Sequence, residues 1–485
     1  MIEVQHSHFI GGEAIAGRST DAIDVFDPAT GDVIAQVGAA SPGDVDAAVG
    51  AAKAAFERGD WQAKGIHARG DIMMQFADLI HAHRDELAEL ETRDNGRTLG
   101  SAKFSIDSAV GCIRYYAGMA SKLHGISADL SADGRELHAY TRPEPVGVVA
   151  AITPWNAPFS VLVSKLAPAL AAGCSVVCKP AEQTPLSAIR LGELMQEWRL
   201  FPDGQVNIVN GLGQVAGAAL AAHRDVDKLS FTGSTAVGRK LIEASAGNLK
   251  RLTLELGGKS PLFVFDDADL DLAIPAAAMA VFANAGQICV AGSRLYVQRT
   301  IFDRVIGGVA KIGDALRLGN GLDAETQMGP LVSEQQMTRV LSYIESGIAE
   351  GAELIGGGGN RHGDRGYFVR PTVFANRDRA DLRIAREEIF GPVVTAMPFD
   401  GVDELAELAN DTDYGLAAGV FTRNVTTAHR VAKVIRAGNI WINCYAILDK
   451  AIPFGGFKQS GWGRELGFEG IAPFLETKSV YTMVQ

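Results

Sequence analysis

Five cysteines are the strongest potential nucleophiles in this 485-residue sequence, at positions 112, 174, 178, 289 and 444. A thiolate attacks a carbonyl carbon readily once local dipoles or charges lower the pKa of the thiol. Cys289 lies in AGQICVAGS, where small neighbours would let a substrate approach the sulfur, although a buried and inert cysteine explains the pattern too. The odd, sparse set does not indicate disulfides, and Cys174 with Cys178 lacks further ligands for a metal site.

Two glutamates that follow apolar runs could act as bases or hydrogen-bond acceptors. Glu255, in LELGGKSP, could serve as a general base or could pair with Lys259. Glu182, in KPAE, could accept hydrogen bonds from ribose hydroxyls, and its charge would repel a 2′-phosphate, which favours NAD over NADP. It could equally be an acid in the first turn of a helix that begins near TPLSAIR.

Two glycine-rich segments are candidates for binding a pyrophosphate. In TGSTAVG, Gly233 permits close approach of the backbone, and Ser234 begins a predicted helix whose free N–H groups favour an anion. An ordinary N-cap explains Ser234 equally well. GLGQVAG, with Gly213 and Gly217, departs from the G-x-G-x-x-G fingerprint and lacks the acid expected about 20 residues later, so close packing of a helix on a sheet also accounts for it.

A regular alternation of strands and helices begins at residue 147 and would position these side chains. GVVAAI, SVVC, VNIVN, KLSF and RLTLEL predict five strands with four helices between them, which indicates a doubly wound parallel sheet in an α/β protein. Ligands bind outside the carboxyl ends of such strands. Those ends are TPWN, KPAE, NGLG, TGST and ELGG, so the candidate residues should collect at one edge of the sheet.

The length and the order of elements predict three structural units. Residues 1–126 and 146–257 should form a dinucleotide-binding domain, in which Ser41 and Pro42 begin a helix. Residues 258–470 should form a second α/β domain that carries Cys289, with helices at 270–285, 301–316, 334–350 and 426–437 and strands SRLYVQ, AAGVFT and NIWIN. Residues 127–145 and 471–485 predict a small β arm that either pairs with another subunit or folds back as a surface hairpin.

The composition excludes several classes of protein. Hydrophobic residues make up 47% and charged residues 21%, as in soluble globular proteins, and a net charge of −12 argues against general nucleic-acid binding. The N-terminus does not resemble a signal peptide, and the most apolar stretch is interrupted by Lys165 and Pro168. We therefore expect a cytoplasmic protein that binds neither nucleic acid nor membrane.

Eight segments in order resemble the aldehyde dehydrogenase superfamily over essentially the whole chain. They are ITPWNAP, KPAEQTP, FTGSTAVG, LELGGKSP, GQICVAG, EEIFGPV, NIWINCY and PFGGFKQSGWGREL. The resemblance implies a Rossmann-like cofactor domain, a catalytic domain and an oligomerisation arm, assembled into homodimers or homotetramers. It also implies oxidation of an aldehyde to a carboxylic acid with NAD, with NADP as an open alternative and no metal.

The resemblance assigns the chemistry to three residues. Cys289 would add to the aldehyde as a thiohemiacetal, and the Asn156 amide with the Cys289 backbone N–H would hold the oxyanion. Loss of hydride to the nicotinamide would leave a thioester, which water activated by Glu255 would hydrolyse. A glutamate at position 255 favours hydrolysis over transfer of the acyl group to coenzyme A.

The resemblance also implies the binding residues. The cofactor set is Ile152, Trp155, Lys179, Glu182, Gly213, Gly217, Gly233, Ser234, Val237, Leu256, Glu388 and Phe390. Glu388 would hold the nicotinamide ribose and Phe390 would pack against the ring, although EEIFGP could also be a plain helix-to-strand turn. The substrate pocket would consist of Ala157, Ser164, Ile288, Val290, Leu448 and Phe454. Most of these are apolar, which suits an uncharged aliphatic or aromatic aldehyde, and Ala157 replaces a common aromatic residue and would widen the mouth.

Two other functions remain open at this point. The chain could be a catalytically silent, dehydrogenase-like binding protein, or a thiol esterase that uses Cys289 without a cofactor. Formation of NADH from an aldehyde would exclude the first, and activity that depends on NAD would exclude the second.

Overall fold

The computed structural model describes residues 1–484, which form four β-sheets flanked by helices. The strands are β1 His8–Ile10, β2 Glu13–Ile15, β3 Ala22–Phe26, β4 Val33–Gly38, β5 Ser127–Ala132, β6 Arg135–Pro145, β7 Val148–Ile152, β8 Ser175–Lys179, β9 Val206–Ile208, β10 Lys228–Thr232, β11 Arg251–Glu255, β12 Pro261–Val264, β13 Arg294–Gln298, β14 Glu353–Gly356, β15 Thr372–Ala375, β16 Val393–Phe399, β17 Ala417–Phe421, β18 Asn439–Ile442, β19 Gly461–Trp462 and β20 Leu475–Met483. The α-helices are α1 Pro42–Arg58, α2 Asp60–Ala63, α3 Gly65–Ala82, α4 Arg84–Asn95, α5 Leu99–Met119, α6 Pro158–Ala172, α7 Leu186–Trp198, α8 Ala218–Ala222, α9 Thr235–Ser245, α10 Leu270–Phe282, α11 Phe302–Ala315, α12 Glu334–Ala349, α13 Arg383–Arg386, α14 Leu405–Asn410 and α15 Val425–Val434.

The first sheet has eight strands in the order β19-β11-β10-β7-β8-β9-β1-β2. Its five central strands are parallel, and the four predicted helices α6, α7, α8 and α9 lie between them in sequence, so the predicted fold class is confirmed. Helices cover both faces, which is why each strand is a continuous apolar run. Along β7, Val149 and Ala151 pack into the core with α5 and α6, whereas Val148 and Ala150 pack into the core with α1.

The N-terminal helices pack on this sheet, and α1 begins as predicted. The Ser41 hydroxyl accepts a hydrogen bond from the Asp44 N–H, and the Asp44 carboxylate accepts one from the Ser41 N–H, which forms a capping box. Helix α4 ends at Gly96, whose φ of +86° turns the chain towards the carboxyl edge of the first sheet.

Strand β19 joins the first sheet although it lies within the range 258–470 that the sequence assigned to the second domain. Leu254 and Glu255 of β11 pair with Trp462 and Gly461, respectively. Gly461 has a φ of +113°, and a Cβ there would overlap the Leu254 carbonyl oxygen, so the pairing requires glycine. The chain therefore returns to the first sheet before residue 470.

The second sheet has seven strands in the order β14-β15-β16-β13-β12-β17-β18 and is parallel except for β14. Strands β13, β17 and β18 and helices α10, α11, α12 and α15 were predicted. Strands β12, β14, β15 and β16 were not, because periodicity alone does not distinguish a short apolar run in a strand from a buried helical turn. One large apolar core packs between this sheet and its helices.

The two segments of the predicted arm pair with each other. Strands β20, β6 and β5 form a three-stranded antiparallel sheet in that order, with Leu475 opposite Pro145 and Met483 opposite Leu137. Gln485, the last residue assigned to the arm, lies outside the described residues.

Residues 1–484 include no helix that is both long enough and apolar enough to cross a membrane. In the same range, no group of three or more His, Cys, Asp and Glu side chains is arranged to hold a metal ion. Burial raises the pKa of the Cys174 and Cys178 thiols to about 12, so both stay protonated and are poor metal ligands at neutral pH.

Candidate active site

Asn156 lies on the loop after β7, at the point where the strand order of the first sheet reverses. The sheet continues through β8 on one side of β7 and through β10 on the other, which opens a crevice at the carboxyl ends of these strands. Asn156 Nδ2 donates to the backbone oxygen of Gln287 at 2.8 Å. The structure therefore places this amide beside the segment that carries Cys289.

A buried ion pair supports the Asn156 loop. Arg97 Nη1 lies 2.6 Å from Glu91 Oε1, and the two side chains are 9% and 0% exposed. Arg97 also donates to the Asn156 carbonyl at 3.2 Å, and the second Glu91 oxygen accepts from the Phe159 N–H at 3.2 Å. No sequence motif indicated either member of this pair.

Cys289 follows α10 through a tight turn with a strained backbone. Asn284 and Ala285 have φ values of 49° and 53°, which non-glycine residues rarely adopt. The Gln287 side chain fastens the turn, since its Oε1 accepts from the Val332 N–H at 2.9 Å. Strain of this kind persists only where the surroundings enforce it, so the position of Cys289 is fixed.

The Cys289 side chain is half-buried in a small apolar cluster at this edge of the second sheet. The cluster comprises Ile288, Cys289, Val290, Leu416, Ala417, Trp441, Cys444, Tyr445 and Phe454. Burial of the sulfur, together with the charges of Glu388 and Glu255, raises the pKa of the Cys289 thiol to about 12. The thiol is protonated at neutral pH in this arrangement, and the two carboxylate charges reduce its reactivity, because the thiolate is the nucleophile.

Glu255 ends β11 and is 3% exposed. Neither of its carboxylate oxygens has a hydrogen-bond partner among residues 1–484, and neither does Lys259 Nζ, so the alternative of an ion pair between them is wrong. Burial and the negative charge of Glu465 raise the pKa of Glu255 well above its ordinary value, against the pull of Lys165. A buried, unpartnered carboxyl with a raised pKa has the properties of a general base.

An ion pair between Lys165 and Glu465 lies next to Glu255. Lys165 Nζ binds Glu465 Oε1 and also lies 3.2 Å from the Ser230 hydroxyl. The Lys165 side chain is fully buried, whereas that of Glu465 is 13% exposed, so titratable groups extend from Glu255 towards solvent. Ser164 Oγ, predicted for the substrate pocket, lies 3.3 Å from Glu465 Oε2.

The EEIFGP turn contacts the loop that follows Glu255. The Gly258 N–H donates to Glu388 Oε1 at 2.8 Å. Burial raises the pKa of Glu388 to about 7, against the effect of that hydrogen bond. Phe390 has a φ of +61°, and its ring meets the Trp155 ring edge-on with centroids 5.2 Å apart. The EEIFGP segment is therefore a turn, which was the alternative to a binding role. Its side chains nevertheless lie against the TPWN and ELGG loops.

Gln336 and Arg339, which sequence motifs missed, hold this turn. Gln336 Nε2 donates to the Phe390 carbonyl at 2.8 Å, and Arg339 Nη2 donates to the Glu388 carbonyl at 2.8 Å. The two residues are three apart on α12 and therefore share one face of the helix. This spacing of three residues was the only sequence signal for a shared role of Gln336 and Arg339, and every amphipathic helix shows the same spacing.

The candidate dinucleotide site lies along the ends of β8 and β10. Lys179 is 2% exposed, its Nζ lies 3.5 Å from Glu182 Oε2, and burial lowers the pKa of Lys179. Glu182 precedes α7 and so is not in its first turn. Ser234 caps α9 by accepting a hydrogen bond from the Val237 N–H at 3.3 Å, so the N-cap interpretation is correct. The other N–H groups in the first turn of α9 have no partner within the helix and face the same edge of the sheet.

Residues 213–217 form one π-helical turn before α8. A Cβ on Gly217 would lie 3.6 Å from Lys179 Cδ, and a Cβ on Gly213 would lie 3.9 Å from Glu182 Oε1. The two glycines therefore border the same groove as Lys179 and Glu182, although the string departs from the fingerprint. A carboxylate acceptor for ribose hydroxyls beside a helix N-terminus for phosphate fits an adenosine pyrophosphate.

The remaining predicted residues differ in their exposure. Ile152, Leu256 and Val290 are buried, Ile288 and Phe454 are half-buried, Ala157 precedes α6, Gly233 packs over Phe231, and Val237 and Leu448 are exposed. Leu448 lies outside the Cys289 cluster.

Comparisons with a family model, with curated proteins and with solved structures all match aldehyde dehydrogenases. Residues 15–480 match the model of the aldehyde dehydrogenase family. A putative aldehyde dehydrogenase, DhaS, of Bacillus subtilis is 46% identical over 478 residues, which cover 98% of this chain and 95% of the relative. A phenylacetaldehyde dehydrogenase of Pseudomonas fluorescens is 44% identical over 484 residues, with 99% and 96% covered. The NAD+ complex of an aldehyde dehydrogenase from Bacillus cereus is similar with a TM-score of 0.96 at 46% identity, covering 99% of this chain and 97% of that one.

Proposed function

This chain belongs to the aldehyde dehydrogenase family and oxidises an aldehyde to a carboxylic acid with NAD, and we propose that Cys289, Asn156 and Glu255 carry out the reaction. One observation carries this proposal, which is that the loops bearing these residues touch each other. Asn156 hydrogen-bonds to the Gln287 carbonyl, and a Cβ on Gly258 would lie 2.5 Å from the Cys289 carbonyl oxygen.

Cys289 forms the covalent bond to the substrate. The Cys289 thiol first releases its proton to solvent, its sulfur then adds to the aldehyde carbon, and the carbonyl oxygen becomes the oxyanion of a thiohemiacetal. Asn156 Nδ2 and the Cys289 backbone N–H donate to that oxygen, and one preorganised donor lowers a barrier of this kind by about 3 kcal/mol.

The cofactor groove holds NAD through the side chains at the carboxyl edge of the first sheet. NAD, when bound, accepts the hydride from the substrate carbon. We place the adenosine ribose at Lys179 and Glu182, the pyrophosphate at the N-terminus of α9, and the nicotinamide ribose at Glu388. The Glu182 carboxylate disfavours NADP, because it would repel a 2′-phosphate.

Glu255 completes the reaction by taking a proton from the water that attacks the thioester. Its raised pKa suits a base that must capture a proton near neutral pH. The Lys165–Glu465 pair lies beside this buried carboxyl and Glu465 is partly exposed, so we assign the proton's exit to this pair. Free acid is the expected product, and an acyl-coenzyme A product would contradict this role.

The substrate is an uncharged aliphatic or aromatic aldehyde. Ile288, Val290 and Phe454 give the surroundings of Cys289 an apolar character. A relative with 44% identity is named phenylacetaldehyde dehydrogenase, which makes phenylacetaldehyde the first aromatic member of the test panel.

The domain division and the assembly belong to the same proposal. Residues 1–126 and 146–257 bind the cofactor, 258–470 supply Cys289, and 127–145 with 471–485 form the oligomerisation arm of a cytoplasmic homodimer or homotetramer. The arm leaves the outer edges of β5 and β20 free of strand partners within residues 1–484, and Tyr481 and Met483 are 66% and 55% exposed. Such an edge is suited to pairing with another subunit.

The test is the initial rate of NADH formation with a panel of aldehydes, for the wild type, Cys289→Ala and Cys444→Ala. Cys444 is a matched control, since it is half-buried in the same cluster. We expect Cys289→Ala to be inactive and Cys444→Ala to keep most of the wild-type rate. Full activity in Cys289→Ala would show that another group is the nucleophile.

A further inference from the structure

A small cavity in the second domain is surrounded by cationic side chains. The cavity together with its opening to solvent has about 200 Å³ of empty space, and Lys259, Arg294 and Arg436 line it without any carboxylate. A fourth cation, Lys458, binds the backbone oxygen of Thr412, another lining residue, at 3.0 Å.

None of these positive charges forms an ion pair with a carboxylate of the described residues. Within residues 1–484, none of the four cations has a carboxylate oxygen within the 4.0 Å of an ion pair. Arg294 is 2% exposed and donates to backbone carbonyls of Lys259, Leu408 and Ala409 at 2.8, 3.1 and 3.0 Å. Asp411, on the neighbouring loop, pairs with Arg386 at 2.7 Å.

Lys259 provides a second, independent observation. It is 1% exposed, and its Nζ has no hydrogen-bond partner among residues 1–484. Burial and the charge of Arg294 lower the pKa of Lys259 to about 7. Folded proteins rarely leave a buried ammonium unpaired, because the desolvation penalty is several kcal/mol.

The acids closest to Lys259 already have other partners. Glu388 accepts from the Gly258 N–H at 2.8 Å. Glu387 accepts from the Tyr343 hydroxyl at 2.6 Å and pairs with Arg383 at 3.2 Å. No carboxylate of residues 1–484 pairs with Lys259, so an anion from outside the chain would stabilise its charged form against the effect of burial.

We propose that this cavity binds a monovalent anion of chloride size, held by Lys259 Nζ and approached through Arg436. Arg436 is exposed, so the cavity has a route to solvent. Most of the empty space of the cavity is open to solvent and the enclosed part is small, which favours a monatomic anion over phosphate or sulfate. The inference rests on Lys259, Arg294 and Arg436 and is independent of the roles proposed for Cys289, Asn156 and Glu255.

Bromide is the probe for a direct test, because it replaces chloride and scatters anomalously. Crystals of the full chain grown without halide are soaked in sodium bromide and measured at the bromine absorption edge. We expect an anomalous peak in the cavity within about 3.5 Å of Lys259 Nζ. No peak there, or an equal peak in crystals of Lys259→Met, would overturn the proposal.

A solution measurement keeps the proposal testable if Lys259→Met does not fold. Thermal unfolding is followed while bromide replaces gluconate at constant ionic strength, so that screening stays equal. We expect a saturable rise in Tm for the wild type, and a half-saturating bromide concentration at least tenfold higher for Arg436→Gln. Arg430→Gln is the matched control on α15, since Arg430 is exposed and does not line the cavity. Equal curves for Arg436→Gln and the wild type, or a rise that does not saturate, would contradict the anion site.

Discussion

Replacing Glu255 with glutamine should separate the two chemical halves of the reaction. Glutamine preserves the shape of a side chain whose two oxygens have no partner among residues 1–484, but it cannot accept a proton. General-base catalysis contributes about 10²–10⁴-fold, so hydrolysis of the thioester should slow by that factor, equivalent to about 3–5 kcal/mol of barrier. Thiohemiacetal formation and hydride loss should continue, because they depend on Cys289 and Asn156.

The assay is stopped-flow absorbance of NADH with enzyme at a known concentration of active sites. Glu255→Gln should give a burst of about one NADH per site followed by a slow steady state, as expected when a covalent acyl-enzyme accumulates. Glu476→Gln is a control, since Glu476 is exposed on β20 and pairs only with Arg251. A variant that loses the burst together with the steady-state rate would refute the reasoning, because Glu255 would then act before the thioester forms. An unchanged steady-state rate would refute it too.

The same variant tests the burial of Glu255 through the pH dependence of stability. The folded-state pKa lies well above the ordinary 4.5, so the stability that Glu255 contributes is complete below about pH 4.5 and is lost as pH rises through the folded-state pKa. Glutamine does not titrate, so the unfolding free energy of Glu255→Gln minus that of the wild type should increase with pH above 4.5, by about 1.4 kcal/mol per unit of pKa difference. Urea denaturation across a pH series measures this, and a difference that falls with pH would contradict the burial argument.

Three further substitutions test other parts of the site. Asn156→Ala should lower kcat by about 10²–10³ through loss of an oxyanion donor, and an unchanged kcat in steady-state kinetics would remove Asn156 from the mechanism. Glu388→Gln should lower the pKa of the Cys289 thiol, because the Glu388 charge helps to raise that pKa to about 12. Iodoacetamide should therefore modify the variant faster than the wild type at pH 8, and slower modification would contradict this effect of Glu388. Arg97→Met should cost about 3–5 kcal/mol in urea unfolding, because it leaves a fully buried carboxylate unpaired. Arg93→Met, which removes an exposed pair on the helix that carries Glu91, should cost less than about 1 kcal/mol, and equal losses would contradict the distinction.

The parallel sheet and its ligand-binding edge could be predicted because each strand from β7 to β11 is a short apolar run followed by polar or glycine residues. That pattern alone places Glu255 and Ser234 at the same edge. The role of Cys289 could not be derived in this way, because a cysteine among small residues is also typical of an inert core. It required the resemblance of GQICVAG and its seven companion strings to a known family.

The residues that hold the site could not be predicted, since their contacts exist only after distant segments meet. Arg97 and the Asn156 carbonyl are 59 positions apart, and no motif links them. Glu255 and Lys259 show the opposite error. Proximity in sequence made an ion pair plausible, but the turn at Gly257 and Gly258 leaves each group without a partner within residues 1–484. Around this site, residues far apart in the sequence can therefore be hydrogen-bond partners, and charged residues close together in the sequence need not form an ion pair.

The pairing of Glu255 with Gly461 has a consequence for synthesis of the chain on the ribosome. Strand β11 is translated roughly 10–40 s before β19 at ordinary elongation rates. During this interval β11 is an unpaired edge strand of the sheet, and such an edge can pair with another chain and lead to aggregation. A chain released before residue 461 lacks the strand that pairs beside Glu255, so a truncated product cannot complete this catalytic edge however well its earlier segments fold.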